Sequence, residues 1–375
     1  MKTLVDPIIF LFAPSTGTKE GLPWISIWRL RKLLGAAVLM FFSSTVVWAQ
    51  SADSTGEKQS LFNWLDEQGE ILNIKLRTDF AALANAGSTE LYQSATFFLL
   101  EKRREVLETE IEVRPRGKYR RKVCSFPPLK LKFPKKDLKE KGWAKHNTLK
   151  LVVHCYETDW SDEMVLREYL AYKLFQHISP VALKVKLAKV TYEDTAGKFP
   201  KTTHYGFLIE DDEELADRLD GKLIEDFNLP AERVDFSQYA IQAVFQYMIG
   251  NADWSVALRR NVELVRRKSD DQVLIVPYDF DYSGLVNPPY ARPNPDFNQK
   301  TVRDRNLIGF PMSDAQKMEV IERFRPLQDQ FIATCKSFKT LSPTARRDVI
   351  KYITSFYEVL EKDPSLPAVT YPLSW

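Results

Sequence analysis

The sequence predicts an α+β fold, a β-rich N-terminal part with one helix followed by a mainly helical C-terminal part. Three observations predict it. Apolar and charged residues alternate with period two through much of residues 72–153. A single segment of helical period follows at Asp162–His177. Beyond Pro230 three long helical stretches appear, interrupted by one short apolar strand.

The elements follow in order. Leu72, Ile74, Leu76 and Thr78 alternate with Asn73, Lys75 and Arg77. Leu107, Thr109, Ile111 and Val113 alternate with Glu108, Glu110, Glu112 and Arg114, and Leu129, Leu131 and Phe133 with Lys130 and Lys132. Each is the pattern of a half-buried strand. A Pro-Arg-Gly turn at residues 115–117 separates the second from the third, Lys135–Lys145 reads as a charged loop, and Leu149–Val153 as another strand. In Asp162–His177, the apolar residues Met164, Leu166, Tyr169, Leu170, Tyr172, Leu174 and Phe175 fit a helix, which ends before Pro180. Strands near Leu183–Tyr192 and His204–Ile209 complete the β-rich part, assigned to residues 61–210. Residues 211–229 form an acidic connection. Residues 230–375 hold helices at Phe236–Ile249, Asp314–Lys336 and Pro343–Glu361 and a strand at Val273–Tyr278.

Residues 1–49 read as a secretory signal, with residues 50–60 as a linker. Arg29, Arg31 and Lys32 precede an uncharged run from Leu33 to Val47, and Val47-Trp48-Ala49 fits a cleavage site after Ala49. That run is shorter than the roughly 20 residues of a membrane-spanning helix. The expectation is an exported, periplasmic or extracellular protein with no membrane span after cleavage. The segment holds five of the 53 basic residues and two of the 50 acidic ones, so 48 of each sign remain. A neutral chain offers no electrostatic reason to bind nucleic acid or anionic lipid.

Three cysteines are present, and in an oxidising compartment Cys124 and Cys155 are the expected pair. The four histidines, His146, His154, His177 and His204, show no metal-ligand spacing. Acid–base chemistry is therefore assigned to carboxylates.

Two clusters carry candidate chemistry. Gly250-Asn251-Ala252-Asp253 follows the amphipathic helix ending at Ile249, with Asn261 eight residues past Asp253. Gly250 reads as the helix C-cap. The second cluster is Tyr278-Asp279-Phe280-Asp281 at the end of an apolar strand. Two carboxylates at i and i+2 face one side and suit a hard cation such as Mg²⁺.

The order of these features resembles a two-lobed protein-kinase-like fold, and more closely the spore-coat-H-like (CotH-like) family of atypical protein kinases. The residues that carry the resemblance span roughly 111–290. They are Arg116-Gly117, then Lys130 and Lys132 within Pro127-Pro-Leu-Lys-Leu-Lys-Phe133, Leu149–Val153, and Arg167-Glu-Tyr-Leu-Ala-Tyr172. Tyr205-Gly-Phe-Leu-Ile-Glu210, Ile249-Gly-Asn-Ala-Asp253 with Asn261, and Pro277-Tyr-Asp-Phe-Asp281 follow. Tyr278 stands where that family has Trp.

The resemblance implies Mg²⁺ and ATP as cofactors. Asp253 would orient the acceptor hydroxyl or take its proton. Asn261 and Asp279 would hold the metal, with Asp281 as an alternative or second ligand. Lys130 or Lys132 would contact the phosphates and pair with Glu168. Gly117, Arg116 and the neighbouring arginines would lie over the triphosphate, and Glu210 would lie at the nucleotide hinge. The implied function is phosphoryl or nucleotidyl transfer to a protein or envelope acceptor. Two other readings stand beside it: a kinase-fold binding module without catalysis, and a transferase using Asp279-x-Asp281 to hold a metal and a sugar nucleotide.

Overall fold

The computed structural model describes residues 58–85, 88–102, 104–117, 120–363 and 366. The signal segment, the Ala49 cleavage site, most of the 50–60 linker, and Lys118 and Tyr119 lie outside the described residues. The described residues form one compact unit.

Within it the elements run α1 (Leu61–Asp66), β1 (Leu72–Thr78), α2 (Phe80–Ala84), β2 (Gln93–Glu101), β3 (Arg104–Pro115), α3 (Arg120–Val123), β4 (Leu129–Lys132), α4 (Lys135–Glu140), β5 (Thr148–Val152), α5 (Asp159–Ile178), β6 (Val185–Asp194) and β7 (Thr202–Ile209). Then come α6 (Asp212–Arg218), β8 (Gly221–Ile224), α7 (Phe236–Ile249), β9 (Val262–Arg267), β10 (Val273–Pro277), α8 (Asp314–Phe324), α9 (Gln328–Ser337) and α10 (Pro343–Lys362).

The first seven strands close into a barrel in the order β1-β2-β3-β4-β5-β7-β6. Closure comes from β1 pairing parallel with β6, Ile74 opposite Val190, while the other neighbours are antiparallel. Alternation then decides which side chains fill it. Leu72, Ile74, Leu76, Phe97, Leu99, Ile111, Val113, Leu129, Leu131, Leu149, Leu151, Val190 and Leu208 belong to one apolar core, with Phe62, Phe80 and Leu138 added by α1, α2 and α4. The barrel interior is thus packed with side chains.

A second core lies outside the barrel. The β5-α5-β6 connection steps over β7, and α5 lays Tyr169 and Tyr172 against Phe207 on the outer face of β7. Phe175 meets Phe245 of α7 and Tyr172 meets Phe280 beyond β10. The three-stranded sheet β10-β9-β8 and helices α7 to α10 complete this core. The apolar face of α5 therefore belongs to the helical part, although the helix lies in sequence among the barrel strands.

Several expectations are corrected. The N-terminal part holds five helices, not one. Residues 135–140 form α4, stabilised by Leu138 reaching the barrel core, rather than a loop. The acidic connection contains α6, where Asp212, Glu213 and Glu214 sit in the first turn and Asp211 caps it; carboxylates there complement the helix dipole. The helix expected over Asp314–Lys336 breaks into α8 and α9 at Arg325–Leu327, where Pro326 removes a backbone donor.

Cys124 and Cys155 form a disulfide, and Cys335 is free and buried. Neither bridged cysteine sits in a strand: Cys124 follows α3 and Cys155 follows β5. The bridge closes a separation of 31 residues. Chain-entropy arithmetic for such a loop gives about 3–4 kcal/mol. Replacing both cysteines with serine is expected to lower unfolding free energy by about that amount in urea melts; an unchanged midpoint would show that the bridge does not constrain the unfolded chain.

Candidate functional site

A cavity of about 940 Å³ lies against the β3–β4 edge of the barrel. Its walls come from the β3–α3 turn (Arg114, Arg116, Gly117, Arg120), from Val152 of β5, from the segment after α7 (Gly250, Ala252, Asp253, Leu258–Asn261), from the end of β10 (Tyr278, Asp279, Asp281) and from the stretch Arg292–Val302. Six arginines line it: Arg114, Arg116, Arg120, Arg259, Arg260 and Arg292. Three aspartates, Asp253, Asp279 and Asp281, face the same space.

Backbone conformation aims these carboxylates. Gly250 ends α7 in the left-handed region at φ 65°, and a Cβ there would come within 2.1 Å of the Tyr352 hydroxyl. Only glycine meets both demands. Asn261 and Asp279 also have positive φ, 55° and 59°, an unfavourable state for a side-chain-bearing residue that surrounding contacts must hold. For Asp279 the holder is Tyr172 of α5, whose hydroxyl accepts the Asp279 N–H at 2.9 Å. For Asn261 it is Asp253: the Asn261 side-chain amide donates to the Asp253 carbonyl at 2.6 Å and to its carboxylate at 3.1 Å. The Asp253 N–H in turn donates to Asn251 Oδ1 at 3.0 Å.

The charges around Asp281 and Glu168 set the electrostatics. Glu168, from α5, is buried and its Oε1 has no hydrogen-bond partner among the described residues. A small cavity of about 10 Å³ is lined by Glu168, Asp281, Tyr290 and Arg120. Burial holds the Glu168 carboxyl well above the usual carboxylate range, and repulsion from Asp281 and Asp279 adds to it, against Arg120 and Arg116. Burial, with Asp279 beside it, pushes Asp281 up to about 7, although the Tyr290 hydroxyl donates to it at 2.9 Å. Asp253 is raised by burial and by Asp279, with Arg260 opposing. Burial works against the charge on Arg120, but Tyr290 and the carboxylates Asp281, Glu168 and Asp279 outweigh it and strengthen its hold on its proton. Arg120 also donates to the Val153 carbonyl.

This donor set fits a hard divalent cation. It consists of carboxylate oxygens, sheltered from water and repelling one another, with one buried oxygen unpartnered; a cation relieves each of these costs. The arginines fit an anionic, phosphate-rich ligand, because guanidinium binds phosphate in a fork.

Of the residues singled out from sequence, Asp253, Asn261, Asp279, Asp281, Arg116 and Gly117 line the one cavity, and Glu168 adjoins it through Asp281. Lys132 is corrected: it pairs with Glu112 at 2.6 Å on the outer barrel face, beside Tyr92, and does not reach the cavity or Glu168. Lys130 shares that outer face, opposite Arg114 and Lys150 in the ladder, and is not among the cavity walls. The physical reason is parity, since Leu129 and Leu131 take the interior positions of β4. Glu168 instead faces Arg120 and Arg116. Glu210 is corrected too. It is fully buried, pairs with Arg218 at 2.6 Å and accepts the Lys184 N–H at 2.7 Å, away from the cavity. Lys150 of β5 is buried and paired with Asp212 and, at 3.4 Å, with Glu263.

Sequence reasoning missed the holding role of Tyr172 and the part of Arg259, Arg260 and Arg292. Residues 290–294 supply walls and a donor to Asp281. Arg303 and Arg305 lie behind it, stacked on Tyr352 and anchored to Asp348 and to the Met248 carbonyl.

No protein-family model and no curated protein matches this chain. Among solved structures it is similar to the Helicobacter pylori proinflammatory kinase CtkA at 9% identity and a TM-score of 0.35, covering 61% of this chain and 90% of that one. A likeness of that degree assigns no activity, and the site's own geometry has to carry the functional reading.

Asp281 gives a test of the electrostatics. Its carboxyl holds a proton more tightly in the folded than in the unfolded chain, so the stability it contributes is complete below pH about 4 and is lost as pH rises through about 7. Asp281→Asn cannot ionise. It is expected to raise Tm above wild type at pH 8 by more than about 2 °C, with the difference narrowing as pH falls toward about 4. A lower Tm at pH 8 would show that the carboxylate is satisfied without a cation.

Proposed function

We propose that the cavity binds a nucleoside triphosphate with Mg²⁺ and transfers its terminal phosphoryl group to a hydroxyl of a protein or envelope component. The observation that carries this reading is the convergence of three aspartates and six arginines on one cavity of about 940 Å³. Carboxylates suit the cation and guanidinium groups suit the phosphates, and phosphoryl transfer needs mainly positioning and neutralised charge. The kinase-like arrangement expected from the order of sequence motifs agrees with this division of labour, but among the described residues the cations lining the cavity are arginines, and Lys130 and Lys132 are not among them.

Asp279 and Asp281 are the residues that would hold Mg²⁺, with Glu168 behind them. Mg²⁺ bound there would supply positive charge to the phosphate oxygens. Arg116 and Arg120 orient the phosphates from the barrel side and Arg260 from the opposite wall. Asp253, held by Asn261 and raised by burial, accepts the proton of the acceptor hydroxyl as the new O–P bond forms and the bond to the leaving diphosphate breaks.

A second reading has a specific observation in its favour. The described walls carry arginine and no lysine, and guanidinium serves a pyrophosphate as well as a triphosphate, so an Asp279-x-Asp281 sugar-nucleotide transferase fits the same walls. Thermal melts of the full chain separate the two. Mg²⁺–ATP at a hundredfold excess over Kd should stabilise the protein by about 2.7 kcal/mol, with sugar nucleotides inert. Stabilisation by sugar nucleotides alone would favour the transferase, and no response to either would leave a binding module without nucleotide. Asp253→Asn is expected to keep the nucleotide-induced shift and lose transfer by at least about a hundredfold. Asp279→Asn should lose both. Full transfer by Asp253→Asn would remove it from the reaction.

A further inference from the structure

A second cluster lies apart from the cavity walls, around the loop between β5 and α5. His154 Nε2 lies 3.0 Å from Glu157 Oε1, and His204 Nε2 of β7 lies 2.8 Å from Glu157 Oε2. One donor atom from each of the three lies within 4.8 Å of the others. The two imidazoles stack, centroids 3.8 Å apart and 16° from parallel. Both Nε2 atoms are thereby aimed at one carboxylate.

We infer that His154, Glu157 and His204 form a binding site for a transition-metal dication of the Zn²⁺ class, with Asp162 as the residue that orients it. The donor chemistry is two imidazole nitrogens and one carboxylate, the set that selects Zn²⁺ and its neighbours over Mg²⁺ or Ca²⁺. Three protein donors leave one position for water or an incoming group.

The surroundings support a built site. His204 Nδ1 is 3.0 Å from Asp162 Oδ1, which also accepts the Tyr205 N–H at 3.3 Å. With Nδ1–H given to Asp162, the His204 lone pair is left on Nε2, facing the proposed metal; this is the carboxylate–histidine arrangement common behind metal ligands. His154 is fully buried, with Phe126 stacked on its ring at 5.0 Å and Tyr192 at its edge. Its Nδ1 has no partner among the described residues, and Nε2 carries its polar contact to Glu157. The loop is held on three sides: by the Cys124–Cys155 disulfide, by Ser161 Oγ accepting the N–H groups of Cys155 and Tyr156, and by the Ser125 N–H on the Cys155 carbonyl. Glu157 is half exposed, which leaves a route for the ion.

A metal here would join β7, the loop and the first turn of α5, the helix that carries Glu168 and Tyr172 toward the cavity. The inference does not depend on the nucleotide reading, since it uses different donors and a different class of ion.

The test is titration of the tag-free full chain with Co²⁺ in excess Mg²⁺, following the visible d–d absorption, then displacement by Zn²⁺. One equivalent is expected to bind with a low-symmetry spectrum and to be displaced. His204→Gln and Glu157→Gln should each weaken binding at least about tenfold, and Asp162→Asn by about 10- to 100-fold, while Asp279→Asn retains it. Melting curves of each variant check folding, and the exposed Glu157 gives a variant that should remain folded. Absence of Co²⁺ binding to wild type, or binding unchanged in Glu157→Gln, would overturn the inference.

Discussion

Asp279 can point into the cavity only because Tyr172 holds its backbone. Its φ of 59° is costly for a residue with a side chain, and the Tyr172 hydroxyl, fully buried on α5, accepts the one N–H that defines the bend. The same helix places Glu168 one turn earlier, behind Asp281 and Arg120. α5 thus does two jobs. Its apolar face joins β7 to α7 and the end of β10, and its polar residues set the geometry and charge of the carboxylates. Loosening α5 would disturb both together.

The cost of this arrangement is electrostatic. Asp279, Asp281 and Glu168 share a sheltered region with few hydrogen bonds; Asp279 raises the proton affinity of Asp281, and both raise that of Glu168. A protein free of functional demand would replace such a cluster with apolar residues or pair it fully. Arg120 offsets part of the charge from within. The remainder is the reason to read the region as a place for a cation, and the ring of arginines around it is the reason to read the cation's partner as phosphate.

Much of the framework was legible from sequence because period-two alternation marks strands directly. β1, β3 and β4 follow from it, and α5 and α7 follow from their apolar faces. β2 was not legible: Ala95–Leu99 is buried on both faces, so no alternation appears. Closure of the barrel was not legible either, since β1 and β6 lie over a hundred residues apart and nothing local in either announces the pairing. Among the site residues, Asp253, Asn261, Asp279 and Asp281 were found because they cluster at element ends. Parity put Lys130 and Lys132 on one face of β4 but could not say which face met the cavity. His154 and His204 are fifty residues apart and meet only because β5 and β7 are neighbours; a linear ligand spacing cannot reveal such a pair.

The central claim is that the Asp279–Asp281–Glu168 cluster is completed by a divalent cation. Titration calorimetry of Mg²⁺ into the full chain at pH 7.5, without nucleotide, tests it most directly. The account predicts saturable binding to wild type that is lost in an Asp279→Asn, Asp281→Asn double variant still folded by its melting curve. Binding of equal strength in wild type and double variant, or none in wild type with or without nucleotide, would contradict it.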